Sequence, residues 1–194
     1  MANYATLDYK ITGSQEELKK FDDAIKKADK DCKYDTWFSV VKKHLGFEDK
    51  EPYFRGYVSY HHIVDGELLM SMEWAWWQDS KFCDWLKEQF PSFEIWWIGE
   101  EPGNEIYCTN DLDGTVFDSK YKIDWSVNGS CDTEYFSEYG QLTDYIKRKI
   151  QPALNQELDL PDNLSDLCKY LNEKAEESDE YNYISINEYE YSEE

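Results

Sequence analysis

At 194 residues, with 17% aromatic and 32% charged side chains, the chain has the apolar mass for a buried core and lacks the composition of a disordered segment. Its formal net charge is −22, unevenly placed: residues 1–50 hold 10 Lys and 10 Asp/Glu, whereas residues 51–194 hold 10 Lys/Arg against 32 Asp/Glu. A field of that sign repels nucleic acid and anionic lipid and raises the encounter rate with basic protein surfaces, so direct nucleic-acid and membrane-surface binding are disfavoured from the start.

"YATLDYKITG" alternates as a strand ending at Gly13, and "SQEELKKFDDAIKKADK" follows with Ser14 and Glu17 spaced as a capping box. Leu18, Phe21, Ile25 and Ala28 recur at helical spacing and predict one buried stripe. "DTWFSVVKKHLG" predicts a short helix with Asp35 as N-cap and Gly46 closing it. "YFRGYVSYHHIVDGELLMSMEWAWW" reads as a hairpin turning at Asp65-Gly66, a strong type I′ signal. Ser80 is placed to cap a helix carrying Phe82, Trp85, Leu86 and Phe90, which Pro91 ends, and "FEIWWIG" is the next strand.

This order, β-α-(α)-β-β-α-β, is the split βαβ pattern of a ferredoxin-like sandwich, an α+β fold. "NEIYCTNDLDGTVFDSKYKIDW" reads as a further hairpin about Asp113-Gly114 that extends the sheet. Helices are expected over "GQLTDYIKRKI" and "DNLSDLCKYLNEKAEE", with 151–162 as the loop between them. "YNYISINEYEYSEE" fits either a last strand, with Ile184 and Ile186 on one side, or an acidic tail. The expected division is a ferredoxin-like domain over 1–125 and an acidic helical extension over 126–194.

The same stretches resemble the YubB-type ferredoxin-like domain of plasmid- and phage-borne accessory proteins. The resemblance rests on "MANYATLDYKITGSQEELKKF" and "EWAWWQDSKFCDWLKEQFPSFEIWWIGEEPGNEIY": the opening M-x-N before a strand, Thr12-Gly13, Ala75-Trp76, Phe90-Pro91 and Glu101-Pro102-Gly103. It covers 1–125 loosely and 73–107 best. Such domains tend to carry Ser-Pro-Pro after the tryptophan, where this chain has Trp77-Gln78-Asp79. What it implies is a fold and a mobile-element setting; it brings no catalytic residues.

Five cysteines lie at least 23 residues apart, so no zinc knuckle or CxxC redox motif is formed. "MANYATLDYK" has no basic leader or apolar run, and the longest apolar runs, "WAWW" and "IWWI", are far short of a membrane span, so a reduced cytoplasmic setting is expected, the host cytoplasm if phage-encoded. The sequons at Asn128 and Asn163 are then chance matches. His61 and His62 are adjacent, face opposite ways on a strand and cannot chelate one metal together. "DLDGTVFDS" resembles the first motif of haloacid-dehalogenase phosphatases, with Asp111 as nucleophile and Asp113 as general acid on Mg²⁺, but "NEIYCTN" before it is polar and alternating instead of a buried parallel strand.

Charge and aromatic content, together with the mobile-element setting that the resemblance implies, set the leading expectation: a non-enzymatic acidic interaction protein of a mobile element, gripped by the basic surface of a nucleic-acid-binding protein, with a nucleic-acid mimic inhibiting a host nuclease or defence complex as its sharpest form. The carboxylates expected on that surface are Glu100, Glu101, Glu105, Asp111, Asp113, Asp118, Asp124, Glu188 and Glu190. Trp74, Trp76, Trp96 and Trp97 are the candidate anchors, core being the plainer reading of each. No cofactor or metal is expected. The alternatives are a Mg²⁺-dependent phosphohydrolase built on Asp111 and Asp113, or a small-ligand module using the tryptophan-rich sheet face.

Overall fold

A computed structural model describes residues 3–47, 51–77, 79–179 and 181–192, the side chains of residues 79 and 80 excepted. The fold is α+β, with a mixed seven-stranded sheet and a separate three-stranded sheet. The chain forms two compact units, Met1–Leu112 with Glu190–Glu194, and Asp113–Tyr189.

In the first unit β1 (Tyr4–Thr12) leads into α1 (Gln15–Asp31), then β2 (Thr36–Trp37), α2 (Phe38–His44), β3 (Gly56–Val64), β4 (Glu67–Ala75), α3 (Asp79–Gln89), β5 (Glu94–Glu101) and β6 (Ile106–Thr109). The Ser14 side chain caps α1 by accepting from Glu17 N–H at 3.3 Å. The reciprocal arm of the expected box goes elsewhere: the Glu17 carboxylate accepts from Ser92 N–H and Oγ–H (3.1 and 2.6 Å), and Ser92 Oγ in turn accepts from Ser14 N–H. Helix start and the β5 approach are thereby tied together. Asp65-Gly66 turns the β3–β4 hairpin with both φ positive, as a type I′ turn requires.

The strand order is β10-β6-β5-β1-β4-β3-β2, with β10 (Glu190–Tyr191) parallel to β6. Alternation sorts each strand cleanly. Ala5, Leu7, Tyr9 and Ile11 of β1, Leu68, Met70, Met72 and Trp74 of β4, and Ile95 and Trp97 of β5 point at the helices and share one core with Leu18, Phe21 and Ile25 of α1 and Phe82 and Leu86 of α3. Gly56 stands opposite Trp74 in the β3–β4 register, and a Cβ there would run into the indole and into Glu73 O at 2.8 Å. The glycine is what lets the tryptophan lie across the strand.

Two local expectations are corrected. Asp35 does not cap α2: Thr36 and Trp37 pair with β3 as an edge strand, and the helix starts after them. Ser80 falls within the first turn of α3, and its side chain lies outside the described residues.

The second unit runs β7 (Tyr121–Val127), β8 (Ser130–Phe136), α4 (Tyr139–Tyr145), a π-turn at Ile146–Ile150, α5 (Gln151–Leu154), α6 (Leu164–Ser178) and β9 (Tyr183–Glu188), with sheet order β8-β7-β9. The expected hairpin about Asp113-Gly114 is not formed: β6 joins the first sheet, β7 the second, and residues 110–120 link them. The physical cause is a better partner for β7. Asn128-Gly129, both at positive φ, folds it back on β8, and Ile184 and Ile186 of β9 complete its other side in antiparallel register. Residues 151–154 continue the helix instead of opening a loop, and Asn163 caps α6 by accepting from Asp166 N–H at 3.0 Å. The core here is Ile123, Trp125 and Val127 against Leu142, Ile146, Ile150, Leu167 and Leu171. Within it Trp125 Nε1–H donates to Tyr145 Oη at 3.1 Å, and Tyr145 donates on to Asp132 Oδ2 at 2.9 Å.

Candidate interaction surface

In the first unit the helices pack on one face of the sheet, so the other face is defined by the residues between the core positions. β1 presents Tyr4, Thr6, Asp8 and Lys10 there. Opposite Thr6 stand Glu73 of β4 on one side and Glu100 of β5 on the other. Lys10 lies between Leu69 and Trp96, and its ammonium reaches the Glu67 carboxylate at 2.8 Å. Glu94 follows opposite Thr12. Five carboxylates (Asp8, Glu67, Glu73, Glu94 and Glu100) thus share a sheet face with Lys10, at spacings set by the roughly 4.8 Å between strands.

At the β2–β3–β4 corner this face becomes aromatic. Tyr57 Oη–H donates to Glu73 Oε2 at 2.5 Å, and its ring meets Trp37 edge-on at 5.7 Å. Tyr60 is exposed further along β3, Tyr4 is exposed on β1 opposite the Ala75 end of β4, and Tyr34 is 79% exposed. Beside them a cleft of about 340 Å³ wraps the sheet edge, lined by Asp29, Asp35, Glu73, Tyr34, Tyr60 and His61 among others, with no lysine or arginine in its lining. Asp29 accepts from Thr36 Oγ1–H at 2.9 Å, and His61 Nδ1 lies 2.9 Å from Asp22 of α1. The two adjacent histidines do point to opposite faces, since His61 reaches α1 while His62 shares the outer face with Leu69.

Burial, reinforced by the bond to the Glu73 carboxylate, pushes the Tyr57 phenol above the ordinary tyrosine value. Burial also raises Tyr139 and Tyr145 in the second unit. These three hold their protons in the folded state at pH values where an unfolded tyrosine, near 10, has lost its own. The stability they contribute is present below about pH 10 and is lost as pH climbs toward the folded-state values. Phenolate absorbance should show a late-titrating class among the 16 tyrosines that merges with the rest on denaturation; Tyr57→Phe should shrink that class by one.

The residues singled out from sequence divide. Glu100 and Trp96 belong to the outer face just described. Glu101 is 1% exposed, its Oε1 accepting from Asn104 Nδ2 at 2.6 Å, and Asp111 is 7% exposed, so neither carboxylate is offered to a partner. Glu105 is exposed in a left-handed turn after β5, and Glu190 is exposed in β10. Asp113, Asp118, Asp124 and Glu188 lie in the second unit: the first two are exposed, Asp124 accepts from Thr133 Oγ1–H at 2.6 Å beside Lys122, and Glu188 faces Lys120 at 3.4 Å. Trp74 and Trp97 are core. Trp76 does not share a strand face with Trp74, because β4 ends at Ala75 and Trp76 turns out at φ +75 to lie against the Arg55 guanidinium, 4.9 Å from its ring centroid, 46% exposed.

Asp111 is enclosed while Asp113 faces solvent, and the described residues hold no group of three or more His, Cys, Asp or Glu able to bind a metal ion. No helix among them is long and apolar enough to cross a membrane. The outer-face carboxylates Asp8, Glu67, Glu73 and Glu94 escape a search for dense acidic runs because each is separated from the next by core residues; the alternation of "YATLDYKITG" is the signal that finds the first. Comparison with family models, with curated proteins and with solved structures returns no match.

Proposed function

We propose that this chain is a non-enzymatic binding protein that offers an acidic, aromatic-edged sheet face to the basic surface of a nucleic-acid-handling protein. The observation that carries the reading is the outer face of the first unit's sheet. Its carboxylates stand in rows at strand spacing, and exposed tyrosines and tryptophans border them at one corner. Carboxylates supply long-range attraction and orientation, and flat aromatic side chains supply the desolvated contacts that fix a complex. Regularly spaced anionic groups also support the mimicry reading, since a basic groove shaped for phosphates meets a repeating negative pattern. The excess is general: the first unit holds 25 Asp/Glu against 13 Lys/Arg, the second 17 against 7.

The antiparallel order β5-β1-β4-β3, with α1 and α3 as the crossovers, supports a ferredoxin-like split βαβ core carrying β2 at one edge and β6 and β10 at the other. That core is also what the YubB-type resemblance implies, and with it a mobile-element setting.

The test is competition. The chain is titrated into purified nucleases and other DNA-binding proteins, each preloaded with labelled duplex DNA. The expected result is displacement of DNA from at least one, with affinity falling more than about tenfold between roughly 50 and 200 mM salt. Glu73→Gln with Glu100→Gln should weaken it several-fold. Binding that ignores salt, or that leaves DNA in place, would overturn the reading.

A further inference from the structure

The β2 edge strand is only two residues long. It covers β3 at Tyr57 and Val58, and a bulge follows between Val58 and Tyr60. From Tyr60 to Val64, β3 pairs with β4 on one side, and among the described residues no strand lies on its other side. Five extended residues span about 17 Å of sheet edge. An edge of that kind offers a row of main-chain donors and acceptors, and protein surfaces commonly blunt it with lysine or proline. Gly56–Val64 contains neither.

The acidic, aromatic cleft opens at the start of this edge, with Asp29, Asp35 and Glu73 around Tyr34 and Tyr60. Thr36 donates to one oxygen of Asp29 and Tyr57 to one oxygen of Glu73, which leaves acceptor sites on both carboxylates. A guanidinium entering there would meet carboxylates and aromatic side chains, the two kinds of partner that its planar array of donors engages. A second copy of the chain is the wrong occupant, because it would bring a like-charged cleft and a net charge of −22 to the same place.

We propose that the Tyr60–Val64 edge and its adjoining cleft form a strand-addition site for an extended basic segment, whose main chain pairs with β3 while an arginine at one end fills the cleft. The proposal rests on the reading above that the partner is basic, and it names how that partner is held.

The experiment uses the full chain and a labelled synthetic peptide, two arginines followed by alternating valine and threonine, read by fluorescence anisotropy. The peptide should bind saturably. Alternate backbone N-methylation, which removes strand pairing and keeps every side chain, should weaken it at least about tenfold, and so should glutamate in place of arginine. Asp35→Asn and Glu73→Gln should each cost several-fold. His62→Lys, an exposed change that places a cation on the edge, should do the same with the circular dichroism spectrum unchanged. Equal binding of the N-methylated peptide overturns the proposal, as does an edge blocked by a concentration-dependent dimer in light scattering. If His62→Lys still displaces DNA from a basic protein as wild type does, the edge is not the site although the wider reading stands; if wild type displaces none, that reading fails first.

Discussion

Trp74→Ala should destabilise the first unit by about 3–5 kcal/mol, the range for emptying a fully buried large aromatic site. Trp74 is wholly enclosed, with Phe82 at 4.9 Å, Phe54 at 6.0 Å and Phe38 at 6.4 Å between ring centroids. These rings touch one another as well as the indole, so removal opens a void among side chains that are already edge-to-face and have few rotamers with which to close it. A loss of that size is a large share of the 5–15 kcal/mol that holds a typical domain folded. Thermal or urea unfolding followed by tryptophan-independent probes, such as far-ultraviolet dichroism, checks it.

The companion Trp74→Phe should cost much less, for a reason beyond volume. The indole Nε1–H is buried with no hydrogen-bond partner among the described residues. Phenylalanine removes a desolvated donor of the kind worth about 1–3 kcal/mol, which offsets part of the lost packing. A Trp74→Phe loss as large as the lost aromatic packing alone accounts for would mean that the unsatisfied donor carries no penalty.

Tyr145→Phe is expected to lower the stability of the second unit by about 1–3 kcal/mol with almost no change in buried volume. The Tyr145 hydroxyl stands between two groups, accepting from Trp125 Nε1–H and donating to Asp132. Its deletion leaves the indole N–H of Trp125, itself 5% exposed, without an acceptor inside a closed core. Trp125→Phe in the Tyr145→Phe background should restore part of the loss, because the orphaned donor goes with it; a coupling near zero in that double-mutant cycle would mean that the chain of bonds is not cooperative.

Much of the first unit was legible in the residues. Alternation in "YATLDYKITG", the Ser14 cap, Asp65-Gly66 and the stripe of α1 each act locally, and local chemistry agrees with the fold. The failures have a common origin in competition between partners far apart in sequence. Asp113-Gly114 is as good a turn dipeptide as Asp65-Gly66, yet β7 pairs forward to β8 through Asn128-Gly129 and to β9 some sixty residues on, which no local signal announces. Asn128-Gly129 is an equally strong turn dipeptide, and it is the one that the β7–β8 hairpin uses. The departure of Trp76 from the strand is equally hidden, since a tryptophan at φ +75 contradicts its own propensity and is held by Arg55.

On the outer sheet face, the placement of Glu100 and Trp96 agrees with strand alternation, whereas Glu101 and Asp111 in the same acidic run turn inward. The cleft could not be foreseen, as it joins residues 29–36 to 57–61 and 73. Nor could Lys42, a lysine only 3% exposed whose ammonium donates to Pro52 O at 2.6 Å among Tyr53, Phe54 and Trp85. Burial pushes it below the ordinary lysine value, with Glu51 pulling it back.

β9 ends in one sheet at Glu188 and β10 begins in the other at Glu190, where it lies parallel to Cys108 and Thr109 and is fastened by Ser192 N–H to Thr109 O at 2.9 Å. The second unit is therefore an uninterrupted insertion, and the outermost rung of the first sheet is supplied by residues the ribosome makes only after that insertion is finished. During synthesis β6 must wait, its flank bare, until the guest has been completed and its trailing end returns to close the host.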